Sequence, residues 1–186
     1  MESKEMPMKK VLMLMLTVFS LFLLVSCSNK EEEAEELIEY NNDKWVPINK
    51  MNNEKLDEPI KLLDTFDDEG KDKEAITILE DEMIPILNET INKFKDVNLQ
   101  HKKIKKLNDL EIEADELLKD SAKEAIIHYN GGDVSEEDIQ QNNIEIEEKA
   151  LKLTDYRHEL IEEYDLEYVE DDESLGNFRE LKREEE

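Results

Sequence analysis

The chain predicts an all-α fold, an elongated up-and-down bundle of three or four helices built on a long antiparallel helical hairpin. Three observations lead there. Charged residues make up 40% of the sequence while Gly and Pro number four each, a composition rich in helix formers and poor in turns. Apolar residues recur at steps of three and four through most of the chain, the period of a helix with one buried face. One segment, "YNGGDVSEED" from Tyr129 to Asp138, separates two such stretches with a stop signal followed by a start signal.

The first 26 residues do not belong to the bundle. Lys4, Lys9 and Lys10 form a positive start, and Val11 to Val25 is an apolar run broken only by Thr17 and Ser20. A membrane-crossing helix needs roughly 20 apolar residues, whereas the core of a cleaved signal needs about 7–15, so a signal peptide over residues 1–26 is expected. The run ends at Leu24-Val25-Ser26-Cys27, which resembles the lipobox of bacterial lipoproteins. That resemblance implies a diacylglyceryl group on the Cys27 thiol, peptidase recognition through Leu24, Val25 and the small Ser26, and cleavage before Cys27. A thiol suits the modification because its thiolate is a good nucleophile near neutral pH. Two acyl chains anchor stably where one is marginal. The expected location is the outer face of the bacterial cytoplasmic membrane. Cys27 is the sole cysteine, so no internal disulfide is available and stability rests on packing.

Without residues 1–26, 21 Lys and Arg face 49 Asp and Glu. Such acidity excludes nucleic acid and direct adhesion to anionic headgroups, and leaves cations and basic partners open. The length fits one domain.

Residues 27–36 read as a lipid-anchored polar linker, a solvated spacer or a frayed helix start, and residues 37–166 as the helical domain. A stripe runs through Leu37, Tyr40, Trp45, Ile48, Met51, Leu56, Ile60 and Leu63. Pro47 and Pro59 interrupt it, which predicts one or two shorter helical pieces. Gly70 in "FDDEGKDKE" marks the first break. Asp72 then caps a helix with Ile76, Leu79, Met83, Leu87, Ile91 and Phe94 on one face, and Pro85 predicts a kink over residues 81–85. The stripe resumes at Ile104, Leu107, Glu111, Ala114, Leu118 and Ala122, with Glu111 its one polar misfit. No Gly or Pro lies between Ile86 and Asn130, which leaves open one continuous helix over Asp72–Asn130.

Gly131 and Gly132 supply the left-handed stop helices use, and Ser135 with Asp138 matches a capping box. The next helix carries Ile139, Asn142, Ile146, Lys149 or Ala150, Leu153, Arg157, Leu160 and Tyr164, a narrow seam of coiled-coil type. It must fold back on the helix before it. Residues 167–186 lose periodicity and read as a mobile acidic tail, in which Phe178 and Leu181 could form a short docking helix.

The sequence carries no catalytic signature, and no cofactor or metal is expected. The three histidines do not converge: with Tyr129 opposite Ser135, His158 comes level with Lys106, about 30 Å from His128 at helical rise. Aligning Gly70 with the glycine of a calcium loop puts Thr65 and Ile76 where acidic ligands are required, so that motif fails. Trp45, the single tryptophan, is either a residue closing the end of the bundle or an exposed anchor, and it is the candidate partner contact.

The lipobox, a polar linker, and long Glu/Lys-rich helices joined by "YNGGD-x-SEED" together resemble small helical lipoproteins of low-GC Gram-positive bacteria, some described as cell-wall-binding. The likeness implies a lipid-anchored, non-enzymatic envelope module, structural or interacting, whose partners are the membrane through Cys27 and a cell-wall polymer or envelope protein. Acidity sets this chain apart, since a basic surface would suit anionic wall polymers. It suggests an alternative, an immunity or resistance lipoprotein capturing a cationic peptide or basic toxin. The first reading predicts an exposed apolar strip left over after packing.

Overall fold

Glu, Lys, Ile and Leu recur through the periodic stretches, and these become four helices in the computed structural model, which describes residues 29–68, 70–169 and 178–184. Helix α1 runs over 29–68, α2 over 72–95, α3 over Lys102–Tyr129 and α4 over Glu136–Glu163. A short antiparallel pair follows, β1 Leu166–Tyr168 with β2 Leu181–Arg183. The all-α bundle expected from the sequence is therefore present, with four helices.

Ion pairs and hydrogen bonds set the directions. Thr90 donates to Asn52 at 2.9 Å and Lys55 meets Glu89 at 2.5 Å, so α1 and α2 are antiparallel. Glu36 reaches Gln100 and His101 while Trp45 reaches Glu111, so α1 and α3 run the same way. Lys103 with Glu163, Lys149 with Glu113 and Asn142 with Glu124 make α3 and α4 antiparallel. The bundle is thus up-down-up-down. Lys106 lies 3.9 Å from the Tyr156 ring centre, which places His158 near Lys106 as the hairpin register predicts.

Several expectations change. The presumed linker is already helical from residue 29, because Ala34 and Leu37 are buried and tie this glutamate-rich turn to the core. Pro47 and Pro59 do not cut α1 into separate helices. A π turn, Asn41–Trp45, precedes Pro47, and a second, Leu79–Met83, precedes Pro85 at the same spacing. Val46 N–H reaches back to the Asn41 carbonyl, and Ile84 N–H to that of Leu79. The widened turn gives the proline ring the room it lacks in an α-helix, where it crowds the carbonyl four residues earlier. At Pro85, where a kink is expected, the helix carries a π turn.

Residues 72–130 are not one helix. Lys95 ends α2 and residues 96–101 turn the chain before α3. A side chain from elsewhere in the chain holds the turn that leads into α3: the Glu36 carboxylate accepts from Gln100 N–H at 2.6 Å and His101 N–H at 2.8 Å. The hairpin turn follows the expected design. Gly131 adopts φ +72°, and Ser135 and Asp138 bond reciprocally, Asp138 N–H to Ser135 Oγ at 3.2 Å and Ser135 N–H to Asp138 Oδ2 at 2.9 Å.

The tail, expected to be mobile from residue 167, is corrected at two places. Asp165 takes φ 54° and ends α4, after which the chain extends into β1. Phe178 and Leu181 dock in extended form within 178–184, not as a helix.

The main core sits at one end of the bundle, the base. There Leu37, Tyr40, Ile104, Leu107, Leu160 and Tyr164 pack with Leu166 and Leu181. Away from the base, Val46–Asp68 packs along α2 and α4 packs along α3, with no extended contact between those two outer segments. No residue from 137 to 156 is buried.

Candidate functional site

The base contains a buried polar cluster built by three helices. Arg157 of α4 donates to Glu111 of α3 at 2.7 Å and to the Asn41 side-chain oxygen of α1 at 3.1 Å. Both members of the ion pair have side chains only 7% exposed. Trp45 lies flat enough against the guanidinium to bring Arg157 Cζ to 3.4 Å from the ring centre, and its indole N–H donates to the same Glu111 oxygen. The π turn makes this possible, since it places Asn41 and Trp45 at its two ends facing the same cluster.

A second buried carboxyl stands beside this pair. Asp115, one helical turn beyond Glu111, is 8% exposed, and its Oδ2 has no hydrogen-bond partner. Burial, then the Glu111 charge, pushes its carboxyl up to about 7. Burial also raises Glu111, against the opposing pull of Arg157 and the Trp45 N–H. The Tyr40 hydroxyl, buried and unpartnered, is raised by burial first and Glu111 second. Burial favours the protonated form of such a group because holding a further charge out of water costs several kcal/mol.

The C-terminal segment covers the cluster. Phe178 packs on Trp45 with ring centres 5.7 Å apart. Asn41 Nδ2 donates to the Arg179 carbonyl at 3.0 Å, and Asn42 pairs with the Leu181 backbone on both sides, accepting from its N–H at 2.8 Å and donating to its carbonyl at 2.9 Å. A helical asparagine here does what a neighbouring strand would do. Beyond Leu181, Arg183 meets Glu35 at 2.8 Å and borders an open groove of 660 Å³ walled by Glu31, Glu35, Glu36 and Glu39.

Trp45, the candidate partner contact, is therefore engaged inside the protein by Arg157, Glu111 and Phe178. Cys27 and the recognition residues Leu24, Val25 and Ser26 lie outside the described residues. The histidines are apart: His101 contacts Glu36, His128 Nδ1 lies 2.9 Å from the Val134 carbonyl, and His158 is exposed. Among the described residues no group of three acidic, histidine or cysteine side chains is placed to hold a metal, and no helix is long and apolar enough to cross a membrane.

Sequence reasoning did not assemble the cluster, although both signals were present. Glu111 interrupts the apolar stripe of α3, Arg157 stands in the seam of α4, and the hairpin register brings them to nearly the same level. Comparison with protein-family models, with curated proteins and with solved structures finds no match.

Proposed function

We propose that the protein is a lipid-anchored module of the bacterial cell envelope, tethered through an acylated Cys27, that binds an envelope component with the free half of its α3–α4 hairpin. The observation that carries this reading is the exposure of the first half of α4, where no residue from 137 to 156 is buried, while α3 behind it is also packed along α2. Ile144 and Leu151 of α4 are 50% and 57% exposed, one heptad apart. Apolar residues recurring on one helix face outside a packed interface mark a contact surface.

The layout supports the orientation. Helix α1 is underway at residue 29, two residues past Cys27, and the base holds the start of α1 and the end of α4. The hairpin of 28-residue helices then extends about 42 Å away from an anchor at the base.

Two measurements test the proposal. Fractionation should move the protein from the membrane to the soluble phase on Cys27→Ser; retention on the membrane would remove the anchor. The Ser28–Glu186 fragment should co-sediment with purified wall sacculi at high salt and lose that retention on Ile144→Lys with Leu151→Lys. Failure to sediment in any salt would exclude the wall polymer as the component bound.

A second reading, capture of a cationic peptide, is favoured by one observation: Arg183, a basic side chain on an extended segment, is already seated among glutamates of α1.

A further inference from the structure

The C-terminal segment is held in a way unlike the rest of the fold. Of residues 178–184 only Leu181 is buried, and Phe178 is half-buried. Most of the other contacts go to main-chain atoms. Asn42 makes a two-point pair with the Leu181 backbone, Asn41 takes the Arg179 carbonyl, and Val169, just past β1, donates its N–H to the Glu180 carbonyl at 2.8 Å. Main-chain pairing supplies affinity without regard to sequence, and pockets for spaced side chains supply the selection; this is how proteins recognise extended peptides.

The selecting features are three. Trp45 receives an aromatic ring, the core opening at Tyr40 and Leu166 receives a leucine three residues on, and the α1 glutamates receive an arginine two residues further. Charge favours the same class of occupant. The segment Phe178–Arg183, "FRELKR", carries three basic residues and one acidic in a chain of net charge −27. The groove beside it is walled mainly by glutamate, with the Arg183 guanidinium bonded to Glu35 through both Nε at 3.0 Å and Nη2 at 2.8 Å.

We propose that this groove is a binding site for basic extended peptides of another protein, with an aromatic residue, a leucine at the third following position and an arginine two beyond, and that Phe178–Arg183 occupies it in their place. A second copy of this chain is the less suitable donor, because two bodies of net charge −27 repel. The proposal is independent of the anchor and of the wall-binding reading, since its surface lies at the base and not on the free half of the hairpin.

The test uses a fluorescein-labelled peptide NFRELKRE and the full-length chain. With Leu181→Asp vacating the groove, the peptide should bind, quench or shift Trp45 emission, and weaken as salt rises. The wild-type chain should bind at least tenfold more weakly, because a tethered competitor acts at an effective concentration on the order of millimolar. Adding Asn42→Ala to Leu181→Asp should lower affinity at least tenfold, and a peptide with glutamate in place of its second arginine should not bind. Absence of binding to a Leu181→Asp chain of unchanged helical content would overturn the site, as would indifference to Asn42→Ala. If Leu181→Asp lowers helical content, the same titration on Phe178→Ser with Arg183→Glu, which loosens only outer contacts, decides the matter by the same criteria. Concentration-dependent dimerisation of the wild type that is abolished by the peptide would overturn the choice of partner and assign the groove to a second copy.

Discussion

The two halves of the α3–α4 hairpin use the same kinds of residue to different ends. At the base, Arg157 and Glu111 join the helices in a dry setting shared with Trp45, Asn41 and Asp115. In the free half, Lys149 and Glu113 join the same two helices, but their side chains are 30% and 52% exposed. Each is a cross-helix cation–carboxylate pair. Only the first is roofed, by α1 and by the C-terminal segment. Depth decides how much a pair matters, because water screens the outer one and leaves the inner one to its partners.

The largest contrast comes from deleting each cation with similar volume retained. Arg157→Met strands Glu111 beside Asp115 in the core and should cost about 3–5 kcal/mol in urea unfolding, as a broken buried pair does. Lys149→Met should cost less than about 1 kcal/mol. Equal losses would mean that the two halves do not differ in the way their burial indicates.

A smaller effect sharpens the base alone. The Asp115 carboxyl rises from 3.8 to about 7 on folding, so between those values the folded state binds the extra proton and stability falls as pH increases. Asp115→Asn removes that slope. The variant should be more stable than wild type by on the order of 2 kcal/mol at pH 8, with the advantage shrinking towards pH 4. Unfolding at both pH values checks it; an advantage that is constant with pH would place the proton on another group.

The smallest effect belongs to the free half. Ile144→Lys with Leu151→Lys should leave stability within about 0.5 kcal/mol, since exposed positions carry little packing energy. A large loss would show that a partner, or a second copy, covers them.

What could be read in advance divides along the same line. The hairpin, its glycine stop, its capping box and its register follow from local rules, and each is found where the spacing placed it. The base depends on contacts between residues far apart in the chain. Glu36 holds the turn before α3 from 65 positions away, and the break at residues 96–101 has no local glycine or proline to announce it. Asn42 meets Leu181 across 139 positions, and nothing in "SLGNFRELKR" marks a strand apart from the partner it finds. The sequence around Trp45 does not decide between core and surface, because its environment is supplied by Arg157 and Phe178, neither of which is near it in sequence. The anchor at Cys27 rests on the sequence pattern and lies outside the described residues.

The π turn at Asn41–Trp45 makes α1 sensitive to chain length in an unusual manner. A π turn accommodates one residue more than the α turns on either side. Deleting a single residue there would therefore keep the chain helical, though crowded at the Pro47 ring, and rotate everything before it by about 100° around the axis. Ala34, Leu37 and Tyr40 would swing off the base core, and Glu36 would no longer point at the start of α3. The surplus residue acts as a phase setting between the two parts of α1, so a one-residue change in length would alter which face the first part presents without altering its secondary structure.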